Sequence, residues 1–185
     1  MTTTTKTSGI RKRVATPVVL ILSAVLCQGV AAGDDNDSDS QVFLEQIGEN
    51  TVEILESGDD NRISVNQVNV SGSNSGVVAL AGEDNRASLE QNGGYLNAVV
   101  SLNDGEDNRF NLRQRGERSR LSLLLEGDRN RFDVDQGLTS QARSLALNVT
   151  VSGNGNRGML SQSGGGHSMA MSVLGSGNGI FARQQ

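Results

Sequence analysis

Six times along this chain an Asn is followed six residues later by a Gln: Asn61/Gln67, Asn85/Gln91, Asn108/Gln114, Asn130/Gln136, Asn156/Gln162 and Asn178/Gln184. Successive Asn residues stand 24, 23, 22, 26 and 22 apart, and Gln46 opens the series as a seventh Gln. A period of this length marks a repeat architecture, whose units bury their apolar faces by stacking on one another. Read backward from each Gln in steps of two, one column is Leu44, Val65, Leu89, Leu112, Val134, Leu160 and Ala182. The next is Val42, Ile63, Ala87, Phe110, Phe132, Gly158 and Ile180. Polar residues such as Ser64, Asn66, Asn111, Arg113, Asp133 and Asp135 fill the places between. Alternation with period two is the pattern of a half-buried strand.

A second, less uniform strand sits in each repeat, as at Val52–Ile54, Val77–Leu80, Leu121–Leu125, Leu147–Val151 and Met169–Val173. Turn residues separate the strands. Gly58, Gly82, Gly105 and Gly127 stand ahead of the Asn, and Gly48, Gly93, Gly116 and Gly164 follow the Gln strand. Glycine supplies the backbone freedom that tight turns need. The chain therefore predicts an all-β fold: a β-solenoid of strand–turn–strand repeats, with about six and a half units of ~23 residues over 40–185. Assembled, such a stack is cross-β amyloid, with strands about 4.8 Å apart.

Stacking gives the repeated amides a purpose. A Gln amide donates two hydrogen bonds and offers one acceptor oxygen, so in a column it can bond the amides above and below. Isolated, a buried amide costs roughly 1–3 kcal/mol; a ladder removes most of that cost. The predicted structural ladder is Gln46, Gln67, Gln91, Gln114, Gln136, Gln162 and Gln184, with Asn61, Asn85, Asn108, Asn130, Asn156 and Asn178 as a second column at the turn. Arg follows the Asn at Arg62, Arg86, Arg109, Arg131 and Arg157. Beside acids such as Asp59-Asp60 and Glu83-Asp84, this column reads either as a solvated charged edge or as a set of gatekeepers that slow premature stacking. The strand pattern runs to Gln184-Gln185, and an uncapped β-rod is expected to template further copies.

The flanking sequence reads as an address. Lys6 to Arg13 is basic, Val14 to Val25 is mostly apolar, and Val30-Ala31-Ala32 is a small-residue cleavage site. Residues 1–32 are thus expected to be a secretory signal peptide, and 33–39 an acidic flexible lead-in. Beyond residue 32 there are 12 Arg against 21 acids, a net charge of −9, with no Cys, Lys, Pro or Trp. Without Cys after Cys27 there is no disulfide scaffold and no Cys-based zinc or thiol site. A net acidic body does not draw in nucleic acid by charge. No convergent constellation of catalytic groups is visible, so no enzyme, cofactor or metal site is expected. The one His, His167, sits in a Gly-rich turn and reads as a turn residue.

These residues resemble the curlin repeat of bacterial curli amyloid subunits, which runs in outline Ser-x5-Gln-x-Gly-x-x-Asn-x5-Gln. Ser40 to Gln46 with Gly48 resembles its opening half, and the six Asn-x5-Gln pairs its closing half. The first-strand Gln of the family is missing after the first unit. Ser57, Ala81, Asp104, Glu126, and Ser152 or Leu174 stand near that place. Gln141 and the Asn97 region shift register, and Gly72 to Ser75 is loose. The resemblance implies a fibre subunit, major or nucleating, secreted to the surface of a Gram-negative bacterium for adhesion and biofilm matrix. Its implied partners are further copies, another curlin subunit, an outer-membrane export pore and a periplasmic chaperone. The alternative is a soluble secreted β-solenoid that binds calcium or polysaccharide.

Overall fold

The structure, a computed structural model, describes residues 18–24, 40–69, 72–103, 105–137, 145–164, 166 and 168–185. Cys27, the lead-in 33–39, Asp104, Gln141, His167 and the leader apart from 18–24 lie outside the described residues. The described strands are β1 (Val18–Ala24), β2 (Gln41–Ile47), β3 (Asn50–Ser57), β4 (Arg62–Val68), β5 (Asn74–Ala81), β6 (Arg86–Gly94) and β7 (Asn97–Asn103). They continue as β8 (Arg109–Glu117), β9 (Ser119–Glu126), β10 (Arg131–Gln136), β11 (Leu145–Ser152), β12 (Arg157–Gln162), β13 (Ser168–Leu174) and β14 (Gly179–Gln184).

The strands form two seven-stranded sheets. The even-numbered strands make one, in the order β2 to β14, and the odd-numbered strands make the other, in the order β1 to β13. Every pairing from β2 onward is parallel and joins one repeat to the next. The chain thus winds as a β-solenoid, one even and one odd strand per turn. β1 alone runs antiparallel; it lies on β3 with Val18 opposite Glu56.

In-register parallel stacking turns the period-two pattern into columns. Val65, Leu89, Leu112, Val134 and Leu160 face inward from the even sheet, and Val78, Val100, Leu123 and Val149 from the odd sheet. All belong to one continuous apolar core. Each side chain so buried contributes roughly 1.5–3 kcal/mol. Of the stretch expected to be loose, Gly72 and Ser73 lie outside the strand while Asn74 and Ser75 already belong to β5 and enter the ladder. Its capacity to pair in register outweighs its weak strand composition. Asn97 lies opposite Ser75, which leaves Leu96 next to Asn74. This is the register shift the sequence announces.

Core volume is traded between rungs. Phe110 and Phe132 are adjacent in one column, with Ala87 on one side of them and Gly158 on the other. A Cβ at Gly158 would collide with the Phe132 ring. The small residue leaves room for the aromatic one below it. Gly158→Ala is therefore expected to destabilise the monomer by about 1–3 kcal/mol, and to do so less in a Phe132→Leu background. Urea unfolding of the single and double variants measures this; an equal loss in both backgrounds would show that the two positions are independent.

Candidate functional site

The amide column lies at one end of the flattened coil, where each even strand turns into the next odd one. Gln67, Gln91, Gln114, Gln136 and Gln162 are 0 % exposed. Parallel register sets each Gln opposite the next, from Gln46 to Gln184. Each Nε2 donates to the Oε1 of the following Gln, at 2.5, 2.6, 2.9, 3.0, 2.9 and 3.0 Å in chain order. The second N–H has its own partner in three rungs. Gln67 donates to the Thr51 carbonyl at 3.4 Å, Gln91 to Ser75 at 3.2 Å and Gln114 to Asn97 at 3.0 Å. The ladder therefore also ties the even sheet to the start of the odd strand across the turn. Because every bond points the same way, the ladder has an acceptor end, at Gln46, whose Oε1 is buried and has no partner in the structure.

The Asn column bonds differently from a side-chain ladder. Asn61, Asn85, Asn108, Asn130 and Asn156 are at most 1 % exposed. Each Oδ1 accepts from the backbone N–H of the next Asn, at 3.0, 3.1, 2.9, 3.0 and 2.9 Å. The Nδ2 groups of Asn61, Asn85 and Asn156 reach the carbonyls of Gly82, Gly105 and Gly175 in the next turn. Amide-to-amide bonds appear at Asn108 with Asn85 and at Asn178 with Asn156. Both columns reach backbone carbonyls; they differ in the axial bond, whose donor is a backbone N–H in the Asn column and a side-chain amide in the Gln column. Asn130 Nδ2 has no partner.

The turn glycines serve two purposes. Gly48, Gly58, Gly82, Gly93, Gly116, Gly127 and Gly164 have positive φ. Gly105 does not; what it supplies is room, since a Cβ there would strike the Gly127 carbonyl. Next to them the corner residues Asp60, Asp84, Asp107 and Arg129 also have φ of 55–56°. Arg129 has the wrong chemistry for a corner, and only its place in the repeat marks it. Tyr95 and Arg118 are left-handed at the opposite turn and carried no sequence signal either. Arg62, Arg86, Arg109, Arg131 and Arg157 each open an even strand, pair in register and are exposed.

Two sequence expectations are corrected. Ser40 to Gln46 is not an opening half. β2 lies in the even sheet, with Gln46 opposite Gln67, and Ser40 stands where the other turns have Asn, its Oγ accepting from Asn61 N–H at 3.3 Å. Ser-x5-Gln fits either half of the motif, and a Ser hydroxyl fills the acceptor role of the Asn. The missing first-strand Gln belongs one residue earlier than expected, or two in the unit of Asp104, and it is missing from the first unit too. Its column is Glu56, Leu80, Leu102, Leu125, Val151 and Val173, all inward and buried. Ser57, Ala81, Glu126, Ser152 and Leu174 are the outward neighbours. An aliphatic wall thus replaces a second amide ladder, except at Glu56, which accepts from Ser40 Oγ at 2.9 Å and Asn61 Nδ2 at 2.8 Å.

Gln114→Leu would leave Gln136 Oε1 buried without its donor. A loss of about 1–3 kcal/mol in urea unfolding is expected, whereas Ser88→Ala, on the outward side of the neighbouring strand, should stay within about 0.5 kcal/mol.

Residues 82–116 match the family described as the curlin associated repeat. They run from the Gly82 turn through β6 and β7 to the end of the glutamine strand β8. No curated protein and no solved structure matches the chain.

Proposed function

We propose that this chain, which matches the curlin associated repeat over residues 82–116, is a structural subunit or nucleator of an extracellular curli-type amyloid fibre, built by stacking further chains on its own coil. The observation that carries the reading is the run of six Gln-to-Gln bonds with a buried acceptor left over at Gln46. A buried polar atom without a partner costs free energy, and a donor amide from another chain would relieve it. The edge strands of the even sheet, β2 and β14, pair on one side among the described residues. Strand edges of this kind template addition.

The rest of the proposal follows from this role. The leader directs export, a pore and a chaperone keep the chain unstacked on the way, and the fibre serves surface adhesion and biofilm matrix. If residues 1–32 are removed, β1 goes with them and β3 becomes the edge of the odd sheet. The aliphatic wall in place of one ladder favours the minor, nucleating role, because one of the two Gln ladders is absent.

The protein from residue 33 onward should form thioflavin-positive fibres with a cross-β reflection near about 4.8 Å. Changing Gln91, Gln114 and Gln136 together to Ala should lengthen the lag at least several-fold. Lasting monomer at high concentration would overturn the fibre reading. Unchanged kinetics of the triple variant would remove the ladder from it.

A further inference from the structure

The Arg column is a second surface feature, on the flank of the coil, and it has no part in the core. Arg86, Arg109, Arg131 and Arg157 line a shallow groove along the even sheet, with Arg129 beside them. Three acids share that groove, Asp84, Asp107 and Asp133, so five cations face three anions, and Arg131 Nε lies 3.8 Å from Asp133 Oδ2 in an exposed pair. The balance also changes along the axis. The left-handed corner position is Asp60, Asp84 and Asp107 in the lower rungs, then Arg129, Gly155 and Gly177. The acids that accompany the lower arginines therefore give way to a cation and then to glycines. The upper groove is floored by Gly158, Met159 and Phe181, the last two exposed at 54 % and 72 %. These two apolar side chains stand next to the row of cations.

Parallel register spaces these arginines at the strand separation, about 4.8 Å per rung. We infer that the groove binds a linear carboxylated polysaccharide lying along the coil axis, one guanidinium per rung meeting its carboxylates. The guanidinium fork matches a carboxylate in two parallel hydrogen bonds. Single exposed pairs are weak, but contacts repeated along one chain add as linked binding events. Single-stranded nucleic acid fits less well. Its affinity draws on successive stacking aromatics, and the groove offers one, Phe181. The inference goes beyond the fibre reading and does not rest on it, because the groove is complete within one chain.

The test uses unassembled protein from residue 33 onward, with polygalacturonate as the probe and neutral dextran and single-stranded DNA beside it, all at low ionic strength. Polygalacturonate binding should weaken steeply with salt, and Arg109→Gln, Arg131→Gln and Arg157→Gln together should lower affinity about tenfold or more. Arg115→Gln with Arg120→Gln, at the opposite turn, should leave it unchanged. The triple variant must keep the β-sheet circular dichroism of the parent. If it does not, the three single changes, each expected to weaken binding in part, decide the matter. Unchanged affinity across the groove variants would overturn the inference, as would equal retention of dextran or tighter binding of DNA. Fibre formation is scored separately, so its failure does not bear on this result.

Discussion

One hydrogen bond repeated at the strand spacing holds the architecture in place: a glutamine amide donating to the next glutamine amide, inside the coil. It works only in register. A slip by one residue would turn the amides outward and carry the apolar columns with them, so the bond and the core enforce the same alignment. The ladder also explains how a chain with five aromatics beyond residue 32 forms a buried interior. Its polar atoms are satisfied along the axis, and the remaining inward positions are left to aliphatic side chains.

The two ends of the coil solve the same problem differently. At the Gln end, side chains bond one another. At the Asn end, each side chain bonds the backbone of the turn above it. The Asn arrangement depends on turn geometry, and there the chain length is nearly fixed. From the inward Glu56, Leu80, Leu102, Leu125 and Val151 to the next Asn is five residues, except six at Leu102. From the Gln to the first inward residue of the odd strand it varies from four at Gln46–Asn50 to nine at Gln136–Leu145.

This contrast explains what could be read in advance. The even sheet was legible because its inward positions repeat chemically: amide, aliphatic, apolar and Asn at constant offsets. The β-solenoid class follows from that alone. The odd sheet was harder. Its inward column at Glu56 and Leu80 has no signature residue, and a Leu looks the same in a core column and in any other strand. The sequence therefore points to a place for the absent Gln that is one residue too late, or two at Asp104. Ser40 misled for a related reason, since hydroxyl and amide can accept the same backbone N–H. Arg129, Tyr95 and Arg118 at left-handed corners could be found only by position, because the stack imposes the turn whatever the side chain.

The uneven turn lengths give the rod two flanks with different tolerances. The Asn flank is a bonded seam of nearly constant length; its one longer turn, after Leu102, adds a single residue and keeps the bond from Asn85 Nδ2 to the Gly105 carbonyl. The Gln flank already carries loops of several lengths without disturbing the rungs. Longer insertions are therefore accommodated more readily on that side. Any segment grafted there would be displayed in a single line, at intervals set by the rung height.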